Sequence, residues 1–257
     1  MSVDPIFSLR GQVALVTGGG GALGGQMART LAAAGADIVL AGRTLNSLRE
    51  VAASIAALGG RAHCVHMDVS QEDSVGHALD EAAGRTGTIG IVINNAGTNV
   101  PKPALEVTAD DWNRTLDTNL RGCFLVARHG AQRMIAAKVH GSIVNIASVL
   151  ALRTQKTTSA YMASKAGVLH LTRSLAVEWA DQGIRVNALL PGYFKSELTG
   201  PFLESEAGLR LKRRIPQRRW GEAGELSAPL LLLASAASSY MTGSTLVVDG
   251  GLTVASV

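Results

Sequence analysis

The sequence predicts an α/β fold built on a doubly wound, parallel, seven-stranded sheet with helices on both faces. Three observations predict it. Apolar runs of strand length alternate with amphipathic stretches of helix length almost from end to end. Several of those runs are continuous rather than alternating, as strands covered on both faces must be. Hydrophobic residues make up 47% of the 257 positions and aromatics only 4%. The core is therefore built of Val, Leu, Ile and Ala, a mix that suits parallel strands under Ala-rich helices.

The elements follow in order. Strands are predicted over 13–16, 38–40, 63–66, 91–93, 143–146, 186–190 and 246–248, and helices over 24–34, 45–58, 72–85, 109–137, 160–182 and 222–234. Ser70 ahead of Glu72 and Asp73 reads as an N-cap followed by first-turn acids. Thr108 ahead of Asp110 and Asp111 repeats that arrangement. One segment, 193–219, breaks the alternation with Gly200, Pro201, Gly208 and Pro216. It follows the carboxyl end of a strand, where open α/β sheets bind ligands, so it is expected to form a substrate lid. No repeat or linker divides the chain, and one domain over 1–257 is expected.

A net charge of +4 is compatible with a phosphorylated cofactor or an acidic substrate and too weak to imply nucleic acid. The densest basic cluster, Arg210, Lys212, Arg213, Arg214, Arg218 and Arg219, reads as a solvated face. Cys64 and Cys123 form no paired motif and read as packing residues. The six histidines are scattered without carboxylate or cysteine partners at ligand spacing, so no metal is expected. Residues 1–12 carry Asp4, Pro5 and Arg10 and no apolar core of a signal peptide. No run reaches the roughly 18 apolar residues of a membrane span. A cytoplasmic location is the expectation.

The first strand runs into Thr17-Gly18-Gly19-Gly20-Gly21-Ala22-Leu23-Gly24-Gly25, and a helix follows. Glycines there permit a tight turn and let the backbone approach a pyrophosphate, while the helix N-terminus offers N–H groups. Gly19, Gly21 and Gly24 spell GxGxxG in the required strand-to-helix context. The residue that reads the ribose sits about 20 positions on, at the end of the second strand. Gly42 leaves the acidic slot empty there, and Arg43 offers a partner for a 2′-phosphate. NADP(H) is therefore expected over NAD(H). Asp68, followed by Val69, can accept from an adenine amino group or serve a turn. Asn94, Asn95, Ala96 and Gly97 let the chain pass close to the adenosine ribose, and their amides can tie neighbouring strands.

Tyr161-x-x-x-Lys165 lies in a helical stretch, where a four-residue spacing puts both side chains on one face. A nearby ammonium stabilises a phenolate and lowers the phenol pKa from about 10, which would suit proton exchange near neutrality. Ser148 ends the fifth strand, where a hydroxyl can steady a substrate oxygen as charge develops. Asn119 lies inside a predicted helix, a mildly unfavourable place. It could kink that helix and hold a water near Lys165.

Together these motifs resemble the short-chain dehydrogenase/reductase family, and the resemblance spans nearly the whole chain. The glycine run from Thr17 to Gly24, Asn94-Asn95-Ala96-Gly97, Asn119, Ser148, Tyr161 with Lys165, Asn187 and Pro191-Gly192 stand in that family's order and spacing. The resemblance implies a single-domain Rossmann fold and a catalytic tetrad of Asn119, Ser148, Tyr161 and Lys165. It implies that the cofactor meets Gly18, Gly20, Gly21, Ala22, Leu23, Gly24, Tyr161, Lys165, Pro191 and Gly192, with Phe194 and Ser196 at the nicotinamide amide. It also implies a homotetramer. Ala22, in the middle of the glycine run, departs from the family's pattern.

The implied activity is NAD(P)(H)-dependent interconversion of a carbonyl and a secondary alcohol, with Tyr161 as general acid and base. Arg153, Gln155 and Lys156 make the stretch before Tyr161 polar, which points to a polar or anionic substrate such as a sugar acid. Residues 191–198 and 219–222 look like the gluconate 5-dehydrogenase branch. Similar stretches occur in 3-oxoacyl-carrier-protein reductases, the alternative. A nucleotide-binding regulator without turnover is the reading from a different class.

Overall fold

The structure is a computed structural model and describes residues 5–195 and 200–255. Seven strands form one parallel sheet: β1 Val13–Thr17, β2 Asp37–Gly42, β3 Ala62–His66, β4 Ile91–Asn94, β5 Gly141–Ile146, β6 Ile184–Pro191 and β7 Thr245–Val248. Their order is β3-β2-β1-β4-β5-β6-β7, and every pairing is parallel. All seven predicted strands are present: β1, β3, β4 and β7 are each one residue longer than predicted, β5 two, and β2 and β6 three. The chain leaves β1 toward β2 on one side and returns to β4 on the other. That reversal opens a crevice beyond the carboxyl ends of β1 and β4.

The helices are α1 Ala22–Ala33, α2 Leu45–Ala56, α3 Glu72–Thr86, α4 Ala109–Leu116, α5 Gly122–Ala136, α6 Ser159–Trp179, α7 Gly200–Glu204, α8 Glu206–Lys212 and α9 Ser227–Ala234. Period-two alternation assigns each strand residue to a face. Ala14, Val16, Ile38 and Leu40 pack with Met27, Leu31, Leu48, Ile55 and Leu230 from α1, α2 and α9. Leu15, Val39 and Ala41 pack on the other face with Val75, Leu79, Val126 and Leu175 from α3, α5 and α6.

Four local expectations need correction. Gln71, not Ser70, flanks α3 as its cap, with no side-chain bond. Ser70 instead donates its hydroxyl to Asp68 Oδ1 at 2.7 Å, a shorter-range partner than the helix amides. Thr108 does cap α4, in a reciprocal capping box with Asp111. The long helix expected over 109–137 is interrupted by a π-helical segment, Asp117–Arg121. The helix expected from 222 begins with a 3₁₀ turn, Ala223–Leu226, before α9. Pro229, which has no N–H to give, thereby falls in the first turn of α9, where none is needed. Finally, the described part of 193–219 is only partly irregular. It holds α7 and α8, and its Leu203 and Ile215 bury themselves with the neighbouring Trp220 against Val149 and Leu252.

The basic cluster sits largely in solvent. Arg210 pairs with Glu206 at 2.5 Å and Arg219 with Glu225 at 2.6 Å. Cys64 and Cys123 are free thiols, half-buried and buried. Among the described residues no helix is long and apolar enough to cross a membrane, and no His, Cys, Asp or Glu cluster suits a metal.

Candidate active site

The crevice between β1 and β4 is shaped first by the glycine turn. Gly18 has φ +63°, the left-handed region that favours glycine, and its carbonyl accepts from Gly21 N at 3.1 Å. A Cβ on Gly24 would stand 2.2 Å from the Gly18 carbonyl oxygen and 2.7 Å from Asn95 Nδ2, so no other residue fits there. Asn95 Nδ2 donates to Thr17 O at 3.0 Å, and Asn95 N and Ala96 N both donate to Thr17 Oγ1 at 3.0 Å. These bonds clamp the glycine turn to the end of β4.

Helix α1 then starts at Ala22 with Gly21 as an N-cap that offers no side chain. Gly21 and Ala22 are exposed and Leu23 is half-buried. An uncapped helix N-terminus behind a tight glycine turn leaves amide donors for an anion, so these residues fit a dinucleotide pyrophosphate.

Beyond β2 the acidic slot is empty. A Cβ on Gly42 would meet only Leu48, at 3.5 Å. Arg43 stands exposed next to it. Asp68 turns its carboxylate on Ser70 N at 3.0 Å as well as on the Ser70 hydroxyl. Burial pushes this carboxyl up, but those two bonds, with Arg43 and His66, leave it below its ordinary value. Val69 is buried against the α3 and α5 face of the sheet. Asn94 is buried too: its Nδ2 donates to Asn145 Oδ1 at 2.9 Å and Cys123 O at 3.3 Å. Its amide thus ties β4 to β5, while Ala96 and Gly97 line the chain beyond.

The four residues of the expected tetrad converge at the carboxyl ends of β4 and β5. Tyr161 and Lys165 occupy the first two turns of α6, and Lys165 Nζ lies 5.7 Å from the Tyr161 ring centroid. Lys165, 5% exposed, donates to Ile146 O at the end of β5 at 2.7 Å. Ser148 caps the next turn by accepting from Leu150 N at 3.1 Å, and its hydroxyl also engages the Tyr161 phenol. Asn119, 1% exposed, sits in the π-helical segment. Its Oδ1 accepts from Thr98 N at 2.7 Å, and its Nδ2 donates to Thr98 O at 2.9 Å and Ser164 Oγ at 3.0 Å. A single point, a Cβ on Gly97, would lie 3.4 Å from Asn119 Oδ1 and 3.7 Å from Lys165 Nζ.

The electrostatics depart from expectation. Burial pushes the Tyr161 phenol up, and the Ser148 hydroxyl only opposes it. Burial draws the Lys165 ammonium down to about 8. Lys165 donates its hydrogen bond to Ile146 O rather than to the phenol, and burial dominates the Tyr161 shift. Ser164 is a candidate residue that motif reading missed. Fully buried, it accepts from Asn119 and donates to Tyr161 O at 2.7 Å. Its signal was its place three residues after Tyr161, on one side of the helix.

Pro191 ends β6, and Gly192 N donates to Val248 O at 2.8 Å. Phe194 is bridged to Gly221, and its ring is buried in the core against that glycine. A cofactor at this point would therefore meet Phe194 through its backbone. Ser196 lies outside the described residues.

Comparison with known proteins supplies a family. A profile described as Enoyl-(Acyl carrier protein) reductase matches residues 20–253. The chain is 39% identical to the 2-dehydro-3-deoxy-D-gluconate 5-dehydrogenase of Escherichia coli (strain K12), over 95% of this chain and 96% of that one. It is 37% identical to the gluconate 5-dehydrogenase of Gluconobacter oxydans (strain 621H), over 99% of both. A crystal structure of a gluconate 5-dehydrogenase from Burkholderia cenocepacia J2315, in complex with NADP and tartrate, superposes with a TM-score of 0.93. It is 40% identical and covers 98% of each chain. The profile carries an acyl-carrier name, but these full-length relatives are named for sugar acids, which fits the main reading of the sequence and not the acyl-carrier alternative. With a glycine-lined crevice, the four side chains of the expected tetrad converging beside it and relatives of this kind along its whole length, the chain belongs to the short-chain dehydrogenase/reductase family and is an NAD(P)-dependent oxidoreductase.

Proposed function

We propose that the chain interconverts a ketone and a secondary alcohol on a small polyhydroxylated acid of the gluconate type, with NADP(H) in preference to NAD(H). The observation that carries the reading is the buried meeting of Tyr161, Lys165 and Ser148 beside the glycine crevice, with Lys165 Nζ 5.7 Å from the Tyr161 ring centroid. When bound, the nicotinamide supplies or accepts the hydride. Tyr161 holds the proton that goes to or leaves the substrate oxygen. Ser148 donates to that oxygen as its charge grows. Lys165, drawn by burial to about 8, can exchange a proton near neutral pH and so restore Tyr161. Asn119, tied to Thr98 and Ser164, fixes the surroundings of Lys165.

Arg43 and the bare Gly42 support the NADP(H) preference: a guanidinium can pair with a 2′-phosphate, and no carboxylate repels it. The sugar-acid names of the relatives support the substrate class. Gly18, Gly20, Gly21, Ala22, Leu23 and Gly24 would hold the pyrophosphate, and Asp68, Asn95, Ala96 and Gly97 would border the adenosine. We read 1–257 as one domain with a lid over 193–219, working in the cytoplasm as a homotetramer.

The test is nicotinamide absorbance over a panel of gluconate, 2-dehydro-3-deoxy-D-gluconate and plain secondary alcohols, with NADPH or NADP⁺ and NADH or NAD⁺ in parallel. Tyr161→Phe is expected to lower kcat by about 10³-fold. Arg43→Ala is expected to weaken NADP(H) binding about tenfold and NAD(H) binding little. Undiminished turnover in Tyr161→Phe would overturn the mechanism, and failure on every sugar acid would overturn the substrate class.

A further inference from the structure

Gln155 and Tyr193 are joined beside Tyr161 by a hydrogen bond that the proposed chemistry does not use. The Tyr193 hydroxyl donates to Gln155 Oε1. Its ring packs 6.2 Å from Trp220 and 6.3 Å from Phe202, centroid to centroid. The backbone beneath it is pinned, because Gly221 N donates to Tyr193 O at 2.9 Å and Lys195 N to Gly221 O at 3.0 Å. The other partner is pinned as well. Thr158 Oγ1 donates to Gln155 O at 3.3 Å, and Lys102 N donates to Thr157 O at 2.9 Å. The bond therefore ties the loop ahead of α6 to the chain leaving β6, two segments that flank Tyr161.

Burial pushes the Tyr193 phenol up to about 12, with the Tyr161 phenol adding to the effect. Tyr193 thus stays protonated and donating at neutral pH. A primary amide has one oxygen and two N–H donors. With Oε1 engaged by Tyr193, the amide group of Gln155 has donors to offer any third partner. An oriented donor near the reacting phenol suits an oxygen-rich substrate. The basic side chains of the same loop are less well placed for that task. Arg153 reaches across to Thr253 O at 3.2 Å, and Lys156 is exposed.

We propose that Gln155, oriented by Tyr193, donates to a substrate oxygen other than the reacting one, and that this pair sets the preference for oxygen-rich substrates over plain secondary alcohols. The inference rests on the reading of the chain as a sugar-acid oxidoreductase and deepens it. Tyr193 acts as a positioning residue and Gln155 as the group in contact.

The test measures kcat/KM with NADP⁺ or NADPH for the better of gluconate and 2-dehydro-3-deoxy-D-gluconate, and for a plain partner, cyclohexanol or cyclohexanone. Gln155→Leu is expected to lower the sugar-acid to plain-substrate ratio about tenfold or more, mainly through KM. Gln155→Glu keeps an acceptor for Tyr193 but loses the N–H donors, so its ratio falls as far; it carries the test if Gln155→Leu does not fold. Tyr193→Phe is expected to give a smaller fall, because the donor remains while its orientation is lost. NADP(H) affinity and the thermal midpoint establish that each variant is folded. An unchanged ratio in folded Gln155→Glu overturns the pair's role and leaves the functional reading standing. A wild type with no preference for the sugar acid overturns both.

Discussion

Lys165 shows how burial sets the terms for single residues in this site. Its ammonium is 5% exposed and drawn from 10.5 to about 8 by desolvation. Below about pH 8 it is charged in both folded and unfolded chains, and the fold bears the full cost of burying the charge. Between about 8 and 10.5 the unfolded chain binds more protons, so stability rises with pH. Lys165→Met is therefore expected to be inactive yet more stable than the wild type at pH 7, by about 2 kcal/mol once the lost bond to Ile146 O is offset. The gap should narrow toward pH 10. Urea midpoints at the two pH values check this, and a less stable variant at pH 7 would contradict it. The pairing of Tyr161 with Lys165 was legible in their four-residue spacing. The direction of the Tyr161 shift was not, because spacing carries no information about how deeply α6 buries its first turns.

At the scale of elements, the turn from β1 into α1 and the break between α4 and α5 contrast in what the sequence revealed. The glycine run marked the turn but left its register open, since four successive glycines satisfy several patterns. Geometry resolves it: Gly24 faces the Gly18 carbonyl, whereas Ala22 is exposed at the start of α1. Gly24→Ala is expected to cost about 2 kcal/mol and to weaken NADP(H) binding more than tenfold by pushing the turn apart. Ala22→Gly should change either quantity little, so the departure at Ala22 is benign. Fluorescence titration of NADPH and thermal unfolding of both variants would decide it, and equal losses would contradict the assignment. The break was legible in Asn119, an unfavourable residue in mid-helix, but its form was not. Within the π turn Asn119 bonds Thr98 and Ser164, contacts too far apart in sequence for a local pattern to show. In 193–219 the glycines and prolines hid α7 and α8, which are short enough that local pattern could not distinguish them from a loop.

Across the whole molecule the parallel sheet separates chemistry from stability. The glycine turn and the four converging side chains lie beyond the carboxyl ends of the strands. At the amino ends of β4, β5 and β6 the chain instead forms an open crevice bordered by Gln12, His140 and Arg185. Arg185 there gathers the last carbonyls of α9 and the turn after it: Nη2 donates to Leu233 O and Ser235 O, both at 3.1 Å. Its Nη1 donates to Ser238 Oγ at 2.7 Å. These groups bond one another rather than awaiting a ligand, and a cation at a helix C-terminus is favoured by the helix dipole. The doubly wound parallel sheet was legible from the alternation of elements, but its strand order was not predicted, and this bonding was not legible, since Arg185 reads in sequence as one charge in an apolar strand. Arg185→Met is expected to lower stability by about 2 kcal/mol, because it removes the charged donor that Leu233 O, Ser235 O and Ser238 Oγ share, although Leu233 O keeps Ser142 Oγ as a donor. It should leave kcat and NADP(H) affinity at 25 °C within about twofold, because its hydrogen bonds lie at the opposite end of the strands from the glycine turn and Tyr161. Denaturant unfolding and steady-state kinetics on the same preparation test the separation. A fall in kcat with unchanged stability would mean that the two ends of the sheet are coupled.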